Sequence, residues 1–145
     1  MDAFERQVRV TVIQTLRDTG EAPTAASIGN TLGVEEPRVT AALRSLADEH
    51  RLVLVPGTDR VMMAHPFSGV ASDFLVTIGE RTGFANCVWD GLSILALLGD
   101  GTLETHSPTT GDPITLTVRD GMVQGDAVVH FLVPARHFWD DIVFT

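Results

Sequence analysis

The chain has 145 residues, 44% hydrophobic and 20% charged, the balance of a folded globular protein with room for one ordinary domain or two small ones sharing a core. Its ten basic residues are all arginine, and nineteen acidic residues leave a net charge of -9, which disfavours nucleic acid and anionic membrane as partners unless the arginines cluster. No apolar run approaches the roughly 20 residues of a membrane span, the start at Met1–Arg6 lacks the order of a secretory signal, and a single cysteine, Cys87, excludes an internal disulfide; the expected location is cytoplasmic.

The first element expected is an amphipathic helix over Asp2–Thr19, with Phe4, Val8, Val12, Ile13 and Leu16 on one stripe and Gly20 and Pro23 as its stop. Thr24 introduces a short helix closed by Gly33, and a third helix follows from about Glu35 to Glu49. Leu52–Val55 and Val61–Met63 flank the turn-rich Pro56–Arg60 and read as a β-hairpin. Helix, helix, helix and hairpin form a winged-helix-like unit, residues 1–65. Residues 1–64 hold seven arginines against nine acidic residues, and the third helix opens on Glu35 and Glu36, so a packing scaffold is favoured over a DNA reader.

Ser68 and Gly69, after Pro66, mark a joint, beyond which a second unit, residues 66–145, is expected. It begins with a short apolar segment over Asp73–Ile78. Phe84–Gly99 reads as a helix that is apolar nearly all round and therefore buried, with Asn86 available as its cap and Gly99 as its stop. Thr102–His106, Ile114–Arg119 and Val128–Val133 read as strands, with Ser107–Pro113 and Asp120–Asp126 as turns, and Phe138–Phe144 is a closing apolar run. The fold class is α+β: the helical unit and hairpin, then a buried helix packed on a mostly antiparallel sheet.

Cys87 is the residue with the most chemistry to offer. In a helix that starts near Asn86, Cys87 and Asp90 share a face. The first turn's unpaired N–H groups and the helix dipole favour thiolate, whereas a neighbouring carboxylate opposes it. A thiolate beside a carboxylic acid suits capture of a soft electrophile by sulfur and delivery of a proton to a leaving group. The plainer alternative is a packed cysteine, with Asp90 capping the helix or pairing with an arginine such as Arg81. Phe84 and Trp89 are candidate pocket walls.

The run Phe84-Ala85-Asn86-Cys87-Val88-Trp89-Asp90-Gly91-Leu92, followed by Ala96-Leu97-Leu98-Gly99, resembles the active-site signature of organomercurial (alkylmercury) lyases. Ser107–Val118, with Thr110-Gly111-Asp112-Pro113 ahead of an apolar strand, is similar to that family's next block. The resemblance implies protonolysis of a carbon–mercury bond to a hydrocarbon and Hg(II). Cys87 then binds mercury as thiolate, Asp90 takes part in proton transfer, and Cys87 and Asp90 are the metal-contacting residues. No resident cofactor is required; Hg(II) is bound as product, and small thiols from solution carry it away.

The family pattern includes a second cysteine nearer the C-terminus, and the chain ends about where that block begins. Two readings stand: a sequence truncated before that cysteine, favoured by the apolar ending, or a lyase-like domain that has lost it. The corresponding functions are a lyase, a soft-metal or organometal binding module without turnover, and, third, a metal-responsive winged-helix regulator. None of the five histidines has the spacing of a helical zinc site; His106, beside a turn that follows the active helix, is the one to watch.

Overall fold

A computed structural model describes residues 1–143; Phe144 and Thr145, the end of the expected apolar run, lie outside the described residues. Helix α1, Ala3–Thr19, opens on a capping box: Asp2 accepts from the Glu5 N–H at 2.8 Å and Glu5 accepts from the Asp2 N–H at 2.6 Å. Val8, Val12 and Leu16, one turn apart, are buried along its inner face. Gly20 ends the helix at φ 74°, and a side chain there would collide with the carbonyl of Thr82, so a backbone without Cβ is required.

Helix α2, Ala25–Leu32, is capped by the Thr24 hydroxyl, and α3, Glu36–Asp48, starts on Pro37 in its first turn. Ile28 of α2 and Val39, Leu43 and Leu46 of α3 complete a core with α1 that is closed to solvent. Strands β1, Val53–Leu54, and β2, Val61–Ala64, form the expected hairpin, and Arg44 of α3 clasps Asp59 in its turn at 2.7 Å.

The hairpin is the edge of a larger sheet. Strands β3 (Phe67–Ser68), β4 (Leu75–Ile78), β5 (Arg81–Ala85), β6 (Gly101–His106), β7 (Pro113–Arg119) and β8 (Met122–Gln124) join it in the order β1-β2-β3-β5-β4-β6-β7-β8, every pairing antiparallel. One sheet therefore runs through both halves of the chain. Helix α4, Val88–Leu98, lies across it, with Ile94 and Leu95 buried and Gly91 set against Leu103. The α+β class holds, with helices on an antiparallel sheet.

Four details differ from the sequence expectation. Phe84 and Ala85 belong to β5, because Ala85 pairs with Phe67 and Phe84 with Ser68 and Leu75; these ladder bonds hold the chain extended until Asn86. The helix is buried on one face only: Trp89 and Leu97 are 58% and 71% exposed, since the sheet covers a single side. Residues 120–126 are not all turn, because Met122–Gln124 pairs with β7 as β8.

The fourth difference follows in the chain. Val128–Val133 forms no strand, with Val128 93% and Leu132 75% exposed: the sheet ends at β8, and the segment does not pair with it despite its β propensity. The chain continues through a 3₁₀ turn, Ala135–Asp140.

Candidate functional site

Cys87 is the N-cap of α4. Its backbone is extended, and its Sγ accepts the Asp90 N–H at 3.5 Å, the role expected of Asn86. The thiol is half-buried, and that burial pushes its pKa up; the Asp90 N–H pulls it down, the Asp90 carboxylate pushes it up again, and the Trp89 N–H lowers it. The net direction is upward, so the helix terminus does not by itself yield a low-pKa thiol.

Asp90, three residues on, is buried at 6% exposure, and both its oxygens are engaged. Asn86 Nδ2 donates to Oδ2 at 2.8 Å, and His65 Nδ1 lies 2.9 Å from Oδ1. Arg81, the sequence-level candidate partner, is not the group at this carboxylate. Asn86 Oδ1 is buried and accepts no hydrogen bond among the described residues; turning the amide over would set oxygen against the carboxylate, so its orientation follows from Asp90.

His65 had no local signal in the sequence. It follows β2 and precedes β3, and the register of β3 on β5, Phe67 opposite Ala85, carries residues 65 and 66 toward 86 and 87 as the strands run out. Only that pairing reveals the contact. His106 sits exposed at the end of β6, away from this group, and His137 pairs with Asp140 at 2.8 Å.

Cys87, Asp90, Asn86 and His65 open on a cavity of about 450 Å³, within the size range of small-molecule sites. Leu52, Val53 and Met63 give it an apolar floor from the hairpin side, and Trp89 walls it from α4. Phe131, Phe138, Trp139 and Ile142 line it from the C-terminal segment. Phe131 meets Trp89 edge-on at 6.5 Å and Phe138 at 5.7 Å, while Trp139 stacks on His50 at 4.2 Å. Arg9, His50 and Arg51 line the remaining side. Of the two candidate walls, Trp89 faces the cavity; Phe84 is held in the sheet and is not among its lining residues.

A soft sulfur and a carboxylate thus share an apolar chamber, with the carboxylate fixed at both oxygens. Among the described residues no group of three or more His, Cys, Asp or Glu side chains is arranged to hold a metal ion. A family model described as MerB, alkylmercury lyase, matches residues 67–145. The chain belongs to the alkylmercury lyase family. The crystal structure of the mercury-bound form of MerB2 is similar, with a TM-score of 0.68 at 26% identity over 86% of this chain. The chain spans 60% of the length of that relative, and no curated protein matches it. The family model begins at Phe67, so Arg9, His50, Arg51 and His65 reach the lyase-like half from residues ahead of the match. No helix among the described residues is long and apolar enough to cross a membrane.

Proposed function

We propose that this alkylmercury lyase family member cleaves the carbon–mercury bond of small organomercurials by protonolysis, with Cys87 and Asp90 as the catalytic pair, in the cytoplasm and without a resident cofactor. The observation that carries the reading is the pairing of Cys87 Sγ and a fixed, buried Asp90 in one apolar cavity, in a chain of this family. Residues 66–145 form the catalytic unit in this reading, and residues 1–65, in winged-helix order, act as a scaffold that supplies one side of the cavity.

Mercury is a soft cation that prefers thiolate to oxygen or nitrogen ligands. Cys87 Sγ attacks mercury, and its proton leaves with the labile ligand that is displaced, giving R–Hg–Sγ. A small thiol gives its proton to the Asp90 carboxylate, and its thiolate adds to mercury and raises electron density on the carbon. Asp90 then passes that proton to the carbon. The carbon–mercury electron pair becomes the new C–H bond, the hydrocarbon leaves, Hg(II) stays on two sulfurs, and Asp90 becomes a carboxylate. No oxidation state changes. The hydrogen bond from Asn86 and the contact with His65 hold Asp90 in one orientation, and Trp89 with the C-terminal aromatic residues lines the chamber around the reacting carbon.

The presence of one cysteine in the 145 residues favours a second reading, capture of the organomercurial without efficient turnover. Incubation with phenylmercury and excess small thiol separates the two. The lyase releases benzene, and Cys87→Ala abolishes the release; a protein that binds phenylmercury through Cys87 and releases none is a binding module only.

A further inference from the structure

The cavity departs from the charge of the molecule around it. The chain carries a net charge of -9, yet the side of the cavity formed by α1 and the segment after α3 presents Arg9, His50 and Arg51, and the one carboxylate among the lining residues is Asp90. Asp90 is already engaged by Asn86 and His65.

Arg9 is half-buried and held in place: its Nε donates to the Arg51 carbonyl at 3.2 Å, so the guanidinium is anchored at one nitrogen, and no ion pair to it forms among the described residues. Arg51 has Glu49 at 3.7 Å from its Nε, but that carboxylate is engaged at 2.8 Å by the Met1 amino group and neutralises Arg51 weakly. His50 is fixed by its stack on Trp139. Arg9, anchored, and Arg51, with its side chain 56% exposed, stand together at the rim of an apolar chamber, where low-dielectric walls on one side focus their field on an anion. The planar guanidinium fork matches a carboxylate.

We propose that Arg9 and Arg51, with His50 beside them, form an anion subsite that takes a carboxylate carried by a small ligand bound at Cys87, either the thiol that removes Hg(II) or the organomercurial itself. The inference rests on the lyase reading for the thiol's role. In the release step, the sulfur of the incoming thiolate forms its bond to mercury as the bond from mercury to Cys87 Sγ breaks. Sγ leaves with its electron pair, and mercury remains Hg(II). A thiol whose carboxylate sits on the arginines arrives with its sulfur confined to the chamber that holds the metal.

The test compares probes of one size and graded charge. Benzene release from phenylmercury is followed with 3-mercaptopropionate, 2-mercaptoethanol and cysteamine at equal thiolate concentration. In a second arm, 4-carboxyphenylmercury and phenylmercury are compared for the rate at which each blocks the Cys87 thiol. Each result is read as a ratio within one protein, so partial loss of fold in a variant does not mimic the effect. The expected outcome is a preference of about tenfold for the anionic probe in one arm or both, reduced by salt, removed by Arg9→Gln with Arg51→Gln, and partly restored by Arg9→Lys. Preference among thiols assigns the subsite to the thiol, and preference between mercurials assigns it to the substrate. Ratios near one in both arms, or a preference that survives the double substitution, overturn the proposal. Absence of benzene with every thiol contradicts the lyase reading instead, while the blocking rates still decide the subsite.

Discussion

His65 Nδ1 lies 2.9 Å from Asp90 Oδ1, joining an exposed imidazole ahead of the family match to a buried carboxylate inside it. Asn86 holds the other oxygen at 2.8 Å, so neither carboxylate oxygen rotates freely. The acid is aimed by residues on two sides of the chain, one from the loop before β3 and one from the turn before α4.

His65→Ala therefore lowers the rate of benzene release by about 10- to 100-fold, the range for removing a group that orients a reacting one. Capture of phenylmercury by Cys87 stays near the parent rate, because that step uses sulfur alone. A stopped-flow comparison of capture with release checks the split; equal losses in both steps, with a lowered melting temperature, assign His65 to stability.

The Cys87 thiol is pushed up by burial and by the Asp90 carboxylate. The thiol form therefore persists to higher pH than in an ordinary cysteine, and alkylation by iodoacetamide rises with pH along a curve displaced to the alkaline side of a free-cysteine peptide. Asp90→Asn removes a charge that opposes the thiolate and retains the backbone N–H to Sγ, so the curve moves back toward lower pH. Movement in the other direction contradicts this account of the electrostatics.

Gly91 places α4 against the sheet. A Cβ there meets Leu103 Cδ1 at 2.7 Å and Cδ2 at 2.8 Å, so the fully buried Leu103 side chain must shift to admit it. Gly91→Ala destabilises the fold by about 1–3 kcal/mol despite the better helix propensity of alanine, as urea unfolding measures. An unchanged or raised midpoint shows that α4 sits further from β6 than the structure has it.

The helices and the hairpin were legible because their signals are local: Val8, Val12 and Leu16 at one-turn spacing, Thr24 ahead of the second helix, Gly20 and Gly33 as stops. Cys87 and Asp90 were legible for the same reason, sitting three apart on one helix. What was not legible depends on pairing between distant segments. Phe84 reads as helix until β3 and β4 claim it, Val128–Val133 reads as strand though the sheet ends at β8, and His65 carries no motif until Phe67 pairs with Ala85. The arginines at the cavity were hidden similarly, since a count over residues 1–64 gives a net acidic half while the fold gathers Arg9 and Arg51 at one place.

Phenylmercury turnover in D2O with excess thiol, with the product weighed by mass spectrometry, tests the roles of Cys87 and Asp90 together. Benzene carrying one deuterium is expected from the parent protein, none from Cys87→Ala, and phenylmercury held on Cys87 with release slowed at least about 100-fold in Asp90→Asn. Release at the parent rate from Asp90→Asn, or phenylmercury bound by the parent with no deuterated benzene formed, would contradict those roles.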